Sequence, residues 1–232
     1  MTSKAIVFLF DVDNTLLDND RVSADLKQYL TNRVGQERQG RYWALFEELR
    51  TELGYADYLG ALQRYRTEYP RDPNLLAVSE FLIEYHFANR LFPNSLDVVE
   101  HVSQWGQAVI LSDGDVVFQP HKVRRSGLFD AVNGHVLIYV HKERELDDVR
   151  QRYPADHYVL VDDKLRILTA VKKAWGSGVT TVFPRQGHYA RDPKILAAYP
   201  PADISIERVG DLIEYGLDDL TIAAGKVGSA AE

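Results

Sequence analysis

The chain has no cysteine. Disulfides, thiolate zinc sites and a cysteine nucleophile are therefore excluded, and the absence fits a reducing, cytoplasmic setting. Long apolar runs are missing too. The run at residues 5–10, just after Lys4, is too short for a signal-peptide core or a membrane span. Positive charge is in deficit: 27 basic against 34 acidic residues leave a net charge of −7, which argues against a dedicated nucleic-acid binder. The short basic cluster of Lys122, Arg124 and Arg125 reads as solvated helix surface. Low-complexity tracts and internal repeats are absent. What remains, 45% hydrophobic and 26% charged over 232 residues, is a globular chain with material for a substantial core and roughly one to two domains.

The most informative junction comes at the end of that first apolar run. Residues 5–10 have no polar break and read as a strand buried on both faces, as in a parallel sheet. Asp11 and Asp13 come directly after it. Two carboxylates at the mouth of a buried strand converge on a small volume. They suit a shared divalent cation, or a division of labour between nucleophile and acid/base. Further apolar runs end at polar residues of catalytic type: 108–111 before Ser112, 136–140 before His141 and Lys142, and 158–161 before Asp162 and Asp163. A fifth run, 179–183, precedes Pro184 and Arg185. Helical stretches at 96–105, 116–126, 143–152 and 165–173 lie between the later runs, which predicts right-handed βαβ units and an α/β fold with a parallel sheet. Ligands in such sheets bind at the carboxyl ends of strands, so these polar groups are expected to meet in space.

Residues 19–92 differ. They show 3–4 spacing at Tyr42, Leu45, Phe46, Leu49 and Leu53, and again from Leu75 to Tyr85, with no strand pattern. The expectation is an inserted all-α segment of about four helices with its own small core, flanked by a sheet domain at 1–18 and 93–220. A frayed tail is expected at 221–232. Within the insertion, Arg41, Tyr42, Trp43, Tyr58, Arg64, Tyr65 and Arg66 form a basic-aromatic group. It reads either as helix packing with snorkelled arginines or as a receiver for a phosphorylated substrate.

The order, spacing and strand-end placement of these motifs resemble the haloacid dehalogenase superfamily, in its phosphatase form with a helical cap inserted after the first motif. The resemblance implies a Rossmann-like core and an aspartyl-phosphate formed on Asp11. It makes Asp13 the acid/base, with its backbone carbonyl a metal ligand, and Thr15 a brace for the phosphate loop. Ser112, with the amides of Asp113 and Gly114, would hold phosphoryl oxygens, and Lys142 would neutralise both phosphate and Asp11. Asp162 and Asp163 would complete a Mg2+ site with Asp11 and Asp13. A small phosphorylated metabolite is the implied partner. A phosphomutase and a catalytically silent phosphate- or protein-binding member are the alternatives. Dehalogenase and phosphonatase readings are weaker: those families lack the second aspartate, and residues 19–92 offer only Lys27 for Schiff-base chemistry.

Departures from the family pattern are also plain. Asp162 and Asp163 are adjacent and followed by Lys164 and Arg166, leaving two registers open for the metal ligand. Asp113 and Asp115 add negative charge around the second motif. His141 and His188 read as loop histidines, although Gly187, His188 and Tyr189 come after the fifth strand on the active edge. Asp18 and Asp20 read as solvated turn residues. Substrate identity and oligomeric state are left open.

Overall fold

The structure, a computed structural model, describes residues 5–222. Apart from the end of its final helix, the expected tail lies outside the described residues. In chain order the elements are β1 (Ile6–Phe10), α1 (Asn19–Leu53), α2 (Tyr58–Glu68), α3 (Leu75–Ile83), α4 (Ser95–Ser103) and β2 (Gln107–Asp113). Then come α5 (Phe118–Arg125), α6 (Leu128–Ala131), β3 (Val136–Tyr139), α7 (Leu146–Arg152), β4 (His157–Val161) and α8 (Leu165–Trp175). The chain closes with β5 (Val179–Pro184), α9 (Pro193–Ala198), β6 (Ile204–Ile206) and α10 (Leu217–Ile222).

Six parallel strands form one sheet in the order β3-β2-β1-β4-β5-β6. All five residues of β1 are buried, as an unbroken apolar run predicts for a central strand with both faces covered. Its side chains alternate: Ile6, Phe8 and Phe10 join the apolar cluster on one face, Val7 and Leu9 that on the other. On the second face α8 lays down Leu165, Leu168, Val171 and Trp175, a 3–4 stripe, and stops at Gly176, whose φ of +55° ends the helix. Burying each of these large side chains contributes roughly 1.5–3 kcal/mol relative to exposure. The strand order reverses at β1, which has β2 on one side and β4 on the other. The crevice for a ligand therefore opens above the carboxyl ends of β1 and β4.

Residues 19–92 are helical, as expected. Asp18 caps α1 by accepting from the Arg21 amide at 2.9 Å, and Gly54 ends it at φ +84°. Gly35, at φ +82° and ψ +166°, breaks α1 into two rods, so three α-helices provide the four rods anticipated. One expectation fails. The helices do not close a separate core: Tyr42, Leu45, Phe46, Tyr58, Val78 and Leu82 belong to the same apolar cluster as Phe8 and Phe10. The bridge runs through Val12, Leu16, Leu17, Phe87 and Phe118, all fully or nearly fully buried. Within the basic-aromatic group, Arg41 pairs with Glu48 and Glu68 and Arg64 with Glu52 on the surface, while Tyr42, Tyr58 and Tyr65 are buried. Ion pairs within and between α1 and α2 thus engage Arg41 and Arg64, while Arg66 is exposed. Among the described residues no helix is long and apolar enough to cross a membrane.

Candidate active site

The turn after β1 is drawn tight by three amides, those of Thr15, Leu16 and Leu17, converging on the Val12 carbonyl at 2.9–3.2 Å. Asn14 takes φ +63° within it, a left-handed conformation that asparagine tolerates. Gly187 approaches from the loop after β5. A Cβ there would lie 2.5 Å from Asn14 Cβ, and its φ is +69°. The Gln186 amide donates to the Thr15 carbonyl at 3.2 Å, completing the buttress.

Asp11 emerges from this turn almost fully buried. The amide of Asp11 donates to Val161 and that of Asp162 to Val182, so each strand end is pinned to its neighbour. Thr15 Oγ1 donates to Asp11 Oδ2 at 3.3 Å and accepts from the Asp163 amide at 3.0 Å. One hydroxyl thereby ties β1 to β4. Oxygens of Asp11, Asp162 and Asp163 lie within 4.8 Å of one another. Opposite ligands of an octahedral Mg2+ stand roughly 4.2 Å apart, so the group is of the right size.

Lys142 is fully buried and lies at the centre. Its Nζ donates to Asp11 Oδ1 at 2.5 Å and to the Leu111 carbonyl at 3.1 Å, and it makes an ion pair with Asp162 Oδ2 at 2.6 Å without hydrogen-bond alignment. Burial opposes its charge, but Asp11, Asp162 and Asp113 outweigh that and hold the ammonium above its ordinary range. For Asp11 burial works upward, yet Lys142 and Lys164 together pull the carboxyl below its usual value. Asp162 is pushed up to about 6, by burial first and by Asp11 next, against the pull of Lys142. Asp163 is raised further above the usual carboxylate range by burial, with Asp162 and Asp11 adding to it against Lys164.

The decisive asymmetry is in the last pair. Asp162 already receives the Lys164 amide at 2.8 Å and the Lys142 ammonium. Both oxygens of Asp163 are buried and have no hydrogen-bond partner. An orphaned carboxylate beside two others costs several kcal/mol unless a cation joins it. Donor set and unmet demand both fit a hard dication. Of the two registers open in the sequence, Asp163 is the one with free oxygens.

The second motif also resolves. Ser112 is buried, and its Oγ accepts from Gln119 Nε2 at 3.0 Å. Gly114 has no room for a side chain: a Cβ would sit 2.8 Å from Gln119 Cβ. The two extra acids have local duties, since Asp113 Oδ1 accepts from the Lys142 amide at 2.8 Å and Asp115 caps α5 through the amides of Val117 and Phe118.

Asp13 departs from its companions. Its carboxylate lies outside the acidic triad and pairs with Lys122, which is 1% exposed rather than solvated as the sequence suggested. The spacing held a signal: Phe118, Gln119, Lys122, Val123 and Ser126 fall on one helical face, and all are buried. Lys164, also missed, is half-buried beside the triad. Asp20 is not merely solvated either. It accepts from Asn14 at 3.0 Å and lies 2.6 Å from His188 Nδ1, tying the insertion to the loop after β5.

A cleft of about 430 Å³ opens between the sheet edge and the helical insertion, reaching Asp13, Asp113 and Lys164 on one side and Phe46, Arg50 and Tyr58 on the other. Arg50 donates to the Tyr189 hydroxyl across it.

A family model described as "Hydrolase: haloacid dehalogenase-like hydrolase" matches residues 7–174. A protein of Burkholderia xenovorans LB400 assigned to the haloacid dehalogenase-like hydrolases is similar at 63% identity and a TM-score of 0.87, over 92% of this chain and 99% of that one. A HAD-hydrolase of Bacillus subtilis, YfnB, bound to magnesium, is 19% identical with a TM-score of 0.58 over 91% and 98% of the two chains. L-2-haloacid dehalogenase of Xanthobacter autotrophicus is 19% identical with a TM-score of 0.59 over 90% and 96%. The last two show a shared fold. No curated protein matches the chain.

Proposed function

The chain belongs to the haloacid dehalogenase-like hydrolases, and within that family we propose that it is a Mg2+-dependent phosphatase acting on a small phosphorylated metabolite through an aspartyl-phosphate on Asp11. The observation that carries this reading is Asp163, buried with both oxygens unpartnered against Asp11 and Asp162. A haloacid dehalogenase of similar fold supports a rival substrate class. The second aspartate, Asp13, and the unmet demand for a dication weigh against it.

Asp11 is the nucleophile. Held ionised by Lys142 and Lys164, it needs no base to attack phosphorus. Lys142 shields the incoming phosphate dianion from the Asp11 and Asp162 charges. Asp13, on the cleft wall, gives a proton to the departing oxygen, then takes one from the water that hydrolyses the intermediate. Ser112, at the end of β2, is the group of the second motif that receives a phosphoryl oxygen; the Gly114 amide expected to join it instead donates to the Tyr139 carbonyl at 3.0 Å. Asp11, Asp162, Asp163 and the Asp13 carbonyl are the groups that would hold Mg2+, which supplies charge neutralisation at the transferring phosphoryl. Residues 19–92 act as a cap that excludes water while Asp11 is phosphorylated.

The test is phosphate release from p-nitrophenyl phosphate and acetyl phosphate with and without Mg2+. Turnover that requires Mg2+ and vanishes in Asp11→Asn is expected. Equal rates for wild type and Asp11→Asn, or halide release from 2-haloacids with no phosphatase activity, would overturn the reading.

A further inference from the structure

Lys122 takes no part in the chemistry above, yet its ammonium is buried and fully engaged. It donates to Asp13 Oδ1 at 2.7 Å, to Asp13 Oδ2 at 2.9 Å and to Asn19 Oδ1 at 3.1 Å. Three protons meet three acceptors. Asn19 opens α1, and its Nδ2 donates to the Tyr58 hydroxyl at 3.3 Å, which also lies 2.9 Å from Ser23 Oγ. Tyr58 opens α2. The rest of α5 is seated on the same helices: the Phe118 ring lies 5.5 Å from Tyr58 and 5.7 Å from Phe87, and His121 Nε2 lies 2.7 Å from the Ile83 carbonyl. Asp13 is therefore gripped from behind by a cation whose third partner belongs to the cap, while its carboxylate stays 22% exposed toward the cleft.

We propose that Lys122 is a positioning residue that aims Asp13 and makes that aim depend on the cap being seated on α5. The proposal rests on the phosphatase reading above. An untethered carboxylate turns about its own bond, whereas one held at both oxygens presents a fixed edge. When the cap lifts, Asn19 and Tyr58 withdraw, Lys122 loses its third acceptor and Asp13 loses its direction. Hydrolysis is thereby confined to the closed enzyme. There the P–O bond to water forms as the bond to Asp11 breaks, the water proton passes to Asp13, and inorganic phosphate leaves.

The experiment uses acetyl phosphate as donor, because acetate departs without needing a proton. Phosphoenzyme formation then reports Asp11, Lys142 and the dication, and its decay reports Asp13. Lys122→Met should phosphorylate within about twofold of wild type, with KM unchanged, yet dephosphorylate about 100-fold more slowly, the size of a lost acid/base contribution. Lys122→Arg should recover part of the decay rate, since a guanidinium can still grip both oxygens. Tyr58→Phe should slow decay about fivefold, and the double variant with Lys122→Met should be no slower than Lys122→Met alone, because both act through one chain of contacts. Wild-type decay in Lys122→Met, or additive effects in the double variant, would overturn the proposal. Should Lys122→Met fail to fold, Tyr58→Phe decides: decay at the wild-type rate removes the link to the cap. A wild-type protein that forms no phosphoenzyme sinks the phosphatase reading itself, before any variant is compared.

Discussion

Replacing Asp163 with asparagine should raise the stability of the metal-free protein and lower that of the Mg2+-loaded one, a reversal of sign that few substitutions produce. In the metal-free state Asp163 is a buried carboxylate with both oxygens unpartnered, and Asp11 and Asp162 repel it. An unsatisfied buried polar group costs about 1–3 kcal/mol. Asp163→Asn removes the buried acid and its repulsion, keeps the shape and offers an amide donor to the neighbouring carboxylates. A gain of about 2 kcal/mol is expected, which for a chain of this size raises Tm by roughly 4–8 °C in EDTA. In saturating Mg2+ the wild type gains about 2.7 kcal/mol at a hundred times its Kd. The variant forfeits most of that gain along with a ligand. Thermal melts of both proteins, with EDTA and with millimolar MgCl2, give the four numbers needed. If the wild type melts higher than Asp163→Asn in EDTA, the carboxylate is not the unmet charge argued here, and the metal assignment falls with it.

The metal-free protein should also show an unusual pH profile. Asp162 is raised from 3.8 to about 6, so the folded state holds its proton where the unfolded state has lost it. Stability from this group is complete below about pH 4 and falls as pH rises through 6, by roughly 3 kcal/mol at pH 7. Urea melts in EDTA should therefore weaken between pH 4 and 7, and Asp162→Asn should lessen that slope, with Asp163, raised as well, carrying the remainder. Lys142→Met leaves three buried acids facing one remaining lysine, Lys164. With Mg2+ present, phosphate release should fall by at least about 10³-fold, and in EDTA Tm should drop by several degrees; full activity would refute its role. Gly187→Ala forces a Cβ to 2.5 Å from Asn14 at a φ of +69°, so about 2 kcal/mol of destabilisation should appear in a denaturant melt.

The strand ends are legible because a run such as residues 5–10, apolar on both faces, can only be an interior strand, and the residue after it must lie at the sheet edge. That reasoning places Asp11, Ser112, Lys142, Asp162 and Asp163 together without any knowledge of the loops. The short edge strand β6 escapes it, since three residues carry no period, and α6 and α9 are too brief to show one. Lys122 misleads for a different reason. Its neighbours Arg124 and Arg125 point outward, and charge density along the chain masks a helix face that only register reveals. The division of labour within the adjacent pair of acids is illegible for a related cause: a one-residue step at a strand end turns a side chain to the opposite side, and sequence does not say where the strand stops. The separate helical core anticipated for residues 19–92 fails because periodicity shows which faces are apolar, not what covers them.

That shared apolar cluster has a consequence for how the molecule comes apart and how it works. Helices that bury Tyr42 and Phe46 in the same mass as Phe8 and Phe10 cannot melt first and leave the sheet standing. Calorimetry should record one endotherm, and amide exchange in α1 and α2 should be as slow as in β1. Lifting Asn19 and Tyr58 away from α5 must likewise disturb that common mass, so opening the cleft sacrifices apolar contact as well as hydrogen bonds.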